Sequence, residues 1–449
     1  MKLRRNKLVP IRFDNAKPPE GLESAKRTDW FEPLEMARAA MLQEDGSAGS
    51  FLRLPQDTLA EYESNRQDSP LGQLFRCATR MHAIADRVVV LGDTSVRLGA
   101  EAILDSCCQP YWNDLTRADR GSKPRMFFDG HFFDNDATQA LLHLLDSHKQ
   151  RPATDELTRW GLILIDRDHS RPETLGIFRH YLRALDASCD ASRVPLHELL
   201  LVVTQAHSPI HKMVSGLPVK EVWFTPESVS RPYDFFSWSG LVPAAMLGVN
   251  VIELLQGAAS ASSRFRGESG LENCVSNYVV DRMRARLEWG IDRWRWQRCH
   301  LSLRGFENWY SYCIGSLSAR ALDEFRSCEE NVPFEESVAI GDLESREQPV
   351  LLQQLHSGEV RFDMLYSDPN LTATLAESNA PAVAFADLAD RRMADELAGF
   401  GRLGHSVGNR ISLPRVDELG IGQLVQMMLL ARELEKRMVR SFVSGFKIS

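Results

Sequence analysis

Short unbroken apolar runs, each followed by a helical pattern, constrain this chain more than any other feature. Arg87-Val-Val-Val-Leu-Gly92, Arg125-Met-Phe-Phe128, Gly161-Leu-Ile-Leu-Ile165, Glu198 to Thr204 and Val222-Trp-Phe224 carry no polar alternation. A strand with that composition is buried on both faces, which is the condition of a parallel sheet. Helical patterns at Leu71 to Ala85, Leu98 to Leu104, Ala137 to Leu145 and Glu173 to Leu185 separate the runs. Strands alternating with helices mean βαβ units, and right-handed crossovers then cover both faces of the sheet.

A long helical region follows, Leu241 to Phe265 and Asn273 to Trp296, and then a second alternating set. In that set Cys299 to Leu303, Ser337 to Ile340, Val360 to Leu365 and Arg410 to Leu413 are expected as strands. Phe306 to Phe325, Pro349 to Leu355, Leu388 to Leu397 and Leu424 to Val443 are expected as helices. The fold class is therefore α/β with two doubly wound parallel-sheet domains and flanking helices. The expected division is an N-terminal arm over 1–70, a first domain over 71–218 and a second over 219–449. Ligands in such sheets sit where the carboxyl ends of strands open into loops, often at a helix N-terminus.

The formal net charge of −8 gives no support to nucleic-acid binding, which depends on neutralising phosphates. None of the eight cysteines forms a C-x-x-C pair, and Cys107–Cys108 read as buried thiols suited to a reducing cytosol. The basic start lacks the apolar core of a signal peptide. Gly240 to Ala261 is the most apolar stretch, but Pro243, Asn250 and Glu253 make it a buried helix rather than a membrane span. A soluble cytoplasmic protein without nucleic-acid or membrane partners is expected.

Several loops resemble one family in the same order. Val90-Leu-Gly-Asp-Thr-Ser-Val-Arg-Leu-Gly-Ala100 resembles the strand–loop–helix of glucose-6-phosphate isomerases, G-x-G-G-S-x-L-G-A. Pro226 to Ala258, ending SGLVPAAMLGVNVIELLQGA, is similar to their P-x-N-x-G-G-R-[FY]-S…G-L-L-P-…-G. Ser302-Leu-Arg-Gly-Phe306 with Trp309 resembles the passage before the family's catalytic Glu, and Pro414 to Met428 resembles a late segment leading into a long helix. The match runs from about residue 70 to about 430. It implies two sugar-isomerase (SIS) domains, a homodimer, an active site between the domains and across the subunit boundary, and no cofactor. The implied reaction is glucose 6-phosphate to fructose 6-phosphate, through an enediol.

That chemistry requires a base, a positive group for the enediolate, an acid–base pair for ring opening and a phosphate clamp. The family's base is the Glu of G-E-S-x-G-K, and the matching Gly315-Ser-Leu-Ser-Ala-Arg320 puts Ser316 there. A hydroxyl is no general base near neutral pH, and losing such a base typically costs about 10²–10⁴ in rate. The family's Arg position holds Pro232, with Arg231 one residue earlier; Arg231 either substitutes or serves a surface ion pair. The D-x-H-S histidine aligns with Glu344 of Asp342-Leu-Glu-Ser345, which is either an acid–base group or a solvated carboxylate. Lys447 has no family context.

The implied clamp combines Gly92 and the loop residues Thr94 and Ser95, which replace two glycines, with Asp166-Arg-Asp-His-Ser-Arg-Pro-Glu-Thr174. Ser170, Glu173 and Thr174 keep the S-K-S-G-T-T-x-E-T pattern, whereas Asp166 and Asp168 put carboxylates in place of hydroxyls. A carboxylate about 4 Å from a phosphate charge costs on the order of 4 kcal/mol at an effective dielectric near 20. One neutral hydrogen bond returns about 0.5–1.5 kcal/mol. Arg167 and Arg171 offset this only if they turn inward. His207 and His211, four residues apart, lack an acidic partner and have Pro209 between them, so no metal is expected. His131 and His169 read as loop residues, and Trp289, Trp294 and Trp296 as packing within a helical stretch. The expectation is a degenerate isomerase homologue with a sugar, sugar phosphate or other metabolite as its ligand. The alternative is a non-catalytic sensor, scaffold or dimer partner.

Overall fold

A computed structural model describes residues 9–17, 27–44, 50–131, 134–146, 155–167, 172–217, 219, 221–230, 232–291, 293–315, 334–339, 351–359, 385–402 and 407–446. Ten strands lie among them: β1 (Arg12–Asp14), β2 (Arg87–Leu91), β3 (Arg125–Asp129), β4 (Trp160–Ile165), β5 (Leu200–Thr204), β6 (Glu221–Phe224), β7 (Arg293–Arg298), β8 (Phe334–Ala339), β9 (Leu351–Glu359) and β10 (Val407–Arg415). They form two five-stranded sheets, ordered β3-β2-β4-β5-β6 and β1-β10-β9-β7-β8. The α/β class with parallel sheets is as the sequence requires.

The chain gathers into two compact units, 45–259 and 1–44 with 260–449. These bounds differ from the division drawn from the sequence, because hydrogen bonding and packing ignore chain order. β6 pairs in parallel with β5, which holds residues beyond 218 in the unit of the first sheet. β1 pairs antiparallel with β10, so part of the supposed arm is an edge strand of the second sheet. Helix Phe31–Glu44 belongs to that second unit, and helix Leu54–Asn65 to the first.

In the first unit every residue of β2, β4 and β5 is buried, so both faces of the sheet are covered. At its amino end the buried Asp86 accepts from Arg120 at 2.5 Å, from Arg117 at 3.4 Å and from Arg125. The apolar stretch after residue 240 is two helices, Trp238–Leu247 and Val251–Gly267, parted at Gly248, whose φ of 76° is the left-handed conformation of a helix stop. Among the described residues no helix is long and apolar enough to cross a membrane.

Three expectations fail in the second unit. Residues 293–298 form β7 rather than the end of a helix, and the strand expected over 299–303 is instead a loop and a 3₁₀ turn, Leu301–Leu303. The Arg-Trp-Arg-Trp alternation is a two-residue period, so Trp294 and Trp296 lie on a strand, although both are buried as packing requires. Residues 351–359 form β9, not a helix; Leu351, Leu352 and Leu355 resemble a helical face, but they fill opposite faces of a strand paired with both β7 and β10. The strand expected over 360–365 lies outside the described residues.

Candidate functional site

The strand order of the first sheet reverses at its first strand: β2 is flanked by β3 on one side and β4 on the other. In an open parallel sheet this reversal leaves a crevice at the carboxyl ends of the two diverging strands. Here those ends carry Gly92-Asp93-Thr94-Ser95 after β2 and Asp166-Arg167 after β4.

Gly92 allows a close approach. A Cβ on it would lie 2.7 Å from Cγ1 of Val96 and 3.3 Å from the Ile165 carbonyl oxygen. The helix Thr94–Cys107 thus begins directly against the strand ends. Its exposed first-turn amides are the groups that bind an anion in such loops. In this chain two of them are already taken. Asp93, in extended conformation just before the helix, accepts through Oδ1 from Ser95 N (2.8 Å), Val96 N (3.1 Å) and Ser95 Oγ (2.7 Å). A tethered carboxylate occupies the helix start as an N-cap, and the Ser95 hydroxyl is spent on it. Thr94 is half-buried beside it.

Asp166 is buried at the end of β4, and its N–H donates to the Val203 carbonyl at 2.9 Å. Arg167 is 4% exposed and turns to the loop after β6. It pairs with Asp234 Oδ2 at 2.5 Å and donates to the Val229 carbonyl. Its charge is therefore compensated within the protein. Pro232, which is buried and lies between these two contacts in sequence, starts the 3₁₀ turn Tyr233–Phe236 that carries Asp234.

The β3 end adds a second buried carboxylate. Asp129 accepts from Tyr181 Oη (2.6 Å), Thr138 Oγ1 (2.8 Å) and Gly130 N (2.7 Å). Burial, then Asp129 itself, raises the Tyr181 phenol well above its ordinary value, so it stays a hydrogen-bond donor. His131 lies 2.5 Å from Arg97 Nη1, and burial followed by Arg97 lowers its pKa. At the β5 end Thr204, Ser208 and Thr225 are bonded among themselves and to backbone, with Thr204 Oγ1 2.8 Å from Ser208 Oγ.

No family model matches the chain. In sequence it is 24% identical over 248 residues to a glucose-6-phosphate isomerase of Caldanaerobacter subterraneus, a stretch covering 55% of this chain and 50% of that one. To the glucose-6-phosphate isomerase of Alkaliphilus metalliredigens it is 22% identical over 276 residues, 61% and 56% of the two chains. The chain spans about half the length of the curated relatives it matches. A crystal structure of a glucose-6-phosphate isomerase from Chlamydia trachomatis superposes with a TM-score of 0.62 at 13% identity, over 92% of this chain and 80% of that one. A hypothetical protein from Thermus thermophilus gives a TM-score of 0.71 at 17% identity, over 95% and 94%. The chain is similar in sequence to glucose-6-phosphate isomerases and shares the fold of one.

Of the site residues expected from the sequence, the structure brings Gly92, Thr94 and Ser95 to one strand end and Asp166 to its neighbour. Thr174 is half-buried in the first turns of helix Pro172–Ser192, which also contains Glu173. Arg231, Glu344, Ser316, Asp168, His169, Ser170 and Arg171 lie outside the described residues, as does Lys447. Asp93 was not singled out from the sequence, although an Asp after an apolar run and before a helix is an N-cap signal.

In the second unit the resemblance segment at 302–309 forms helix Arg304–Tyr310, with Gly305, Phe306 and Trp309 buried. It also carries Glu307, 1% exposed, whose Oε2 lies 2.5 Å from Arg298 at the end of β7. On β9, His356 Nε2 meets Asp390 Oδ1 of helix Phe385–Arg402 at 2.6 Å. His300 stands near this dyad, and burial followed by the charge of His356 lowers its pKa. Their separation in the chain left no sequence signal for the dyad. His211 instead accepts from the His207 amide at 3.0 Å and packs edge-on against Phe224. Among the described residues no group of three or more His, Cys, Asp or Glu side chains could hold a metal ion.

Proposed function

We propose that this chain is a glucose-6-phosphate isomerase homologue with weak or lost isomerase activity, whose inherited crevice takes a sugar or other small polar metabolite without gripping a phosphate. One observation carries the reading: the Asp93 carboxylate already occupies the Ser95 and Val96 amides at the start of helix Thr94–Cys107. A phosphate arriving there would displace a covalently tethered anion and face its charge. The Arg167–Asp234 pair engages a cation that a bound phosphate would otherwise meet. Ser316 at the family's base position adds a missing proton acceptor, an effect of about 10²–10⁴ in rate. A homodimer belongs to the same reading, and light scattering at micromolar concentration tests it.

A coupled assay for fructose 6-phosphate conversion at high enzyme concentration tests the activity. Turnover at least about 100-fold below that of an intact isomerase is expected. Thermal melting with glucose 6-phosphate tests the crevice, and no stabilisation is expected. Full turnover that vanishes in Arg231→Ala or Glu344→Gln would replace this reading with an isomerase working through substituted groups. A melting shift with a non-phosphorylated sugar, without turnover, would favour a sensor.

A further inference from the structure

The segment Val9–Ala16 lies in a slot of the second unit that reads its backbone rather than its side chains. Gln423 brackets one residue's width of chain, with Nε2 donating to the Val9 carbonyl at 3.1 Å and Oε1 accepting from Ile11 N at 3.1 Å. The Ile11 carbonyl accepts from Arg264 Nη1 at 3.2 Å and from Cys274 Sγ at 3.4 Å. β1 then adds antiparallel to β10, with Arg12 opposite Ser412, Phe13 opposite Ile411 and Asp14 opposite Arg410. Beyond it the Ala16 amide donates to Asp281 Oδ2 at 2.7 Å. Asp281 and Gln423 are 0% and 2% exposed, so both are built into the interior and receive main chain there.

Side-chain recognition is confined to a few positions. Ile11 and Ala16 are buried, and Phe13 meets Tyr278 edge to face at 5.8 Å, while Arg12 and Asp14 stay exposed. A cavity of about 20 Å³ remains beside Ile11. Main-chain bonds along a sheet edge, with pockets for alternate side chains, are the physics of strand addition. β1 itself is only three residues long, so the sheet edge alone supplies few of these bonds.

We propose that this slot is an exchange site, in which the Val9–Ala16 strand of a second copy of the chain replaces the chain's own. Every contact described would be remade unchanged between copies, which is why exchange of an identical element costs little. The chain's own strand competes through its tether at an effective concentration on the order of 1 mM. Exchange therefore grows with protein concentration.

The double variant Arg12→Cys, Ser412→Cys places a disulfide across the β1–β10 register. Oxidised at about 10 μM and about 100 μM, it is expected to give mostly intrachain bonds, with an interchain fraction rising about tenfold between the two. Each single-cysteine variant serves as the control for the native thiols. An interchain fraction that does not rise, or no cross-link of either kind, overturns the proposal. Should the double variant fail to fold, the unmodified chain is titrated with a peptide of residues 9–17 carrying a photoreactive group at the Phe13 position. Capture at the strand containing Ile411 or at the helix containing Tyr278 supports exchange, and capture elsewhere or none refutes it.

Discussion

The two sheets are parallel apart from the edge strand β1, but are filled in opposite ways. In the first unit β2, β4 and β5 are apolar from end to end, and polar groups gather where the strands stop. In the second, polar side chains sit inside the sheet. Gln297, Gln353, Gln354 and Asn409 are each no more than 1% exposed. Gln354 Nε2 donates to Gln297 Oε1 (2.8 Å) and to the Met393 carbonyl (2.7 Å), and its Oε1 accepts from Arg410 Nη2 (2.9 Å). On the other face Arg282 stacks 3.3 Å from the Trp294 ring centre and bonds to Glu435 and Gln353. An apolar strand is held by burial that any neighbour of the right shape supplies. A glutamine strand is held by partners that must each be in place.

Substitutions can break or sharpen that contrast. Leu164→Ala in β4 should have the largest effect, a loss of about 2–5 kcal/mol in urea unfolding, because a fully buried side chain leaves a cavity. Gln354→Leu should cost less, about 1–3 kcal/mol, by leaving the Gln297 amide, the Met393 carbonyl and Arg410 short of a partner. If Gln354→Leu stabilised the protein, the polar sheet would be as tolerant as the apolar one and the contrast would fail.

Acid provides a third test, on the first unit alone. His82 lies between the Met246 carbonyl and Lys123, and burial, then Lys123, lowers its pKa to about 4. Its neutral form is the folded one, so the contribution is complete above pH 6.5 and is lost as pH falls toward 4. A loss of about 2 kcal/mol between pH 6.5 and 5 is expected, read by hydrogen exchange in β2 to β6. His82→Gln should flatten that slope; an unchanged slope would assign it to other groups. The smallest effect is that of Asp93→Ala, about 1 kcal/mol from a lost helix cap. The same variant should gain thermal stabilisation from inorganic phosphate where the unaltered chain shows none. Without that gain, the capped helix start is not what keeps phosphate out.

How much was legible follows the same contrast. β2, β4 and β5 could be placed to within about two residues because an unbroken apolar run has one stable solution. β7 and β9 could not. Trp294 and Trp296 alternate with arginines directly after a helix, and Leu351, Leu352 and Leu355 fit a helical face as well as a doubly buried strand. At the candidate site, the loop holding Gly92, Thr94 and Ser95 was readable from its resemblance. The direction in which Arg167 turns was not, since Asp234 reaches it only through the fold.

The sequence by itself determined the α/β class and the position of the first sheet's strands, because these depend on local composition and order. Only the tertiary structure decided that Asp93 caps the helix start, that Arg167 is neutralised by Asp234, and that residues 9–16 complete the second sheet. Each of these joins groups through space, and a buried charge or an open strand edge has no preferred partner until the chain has folded.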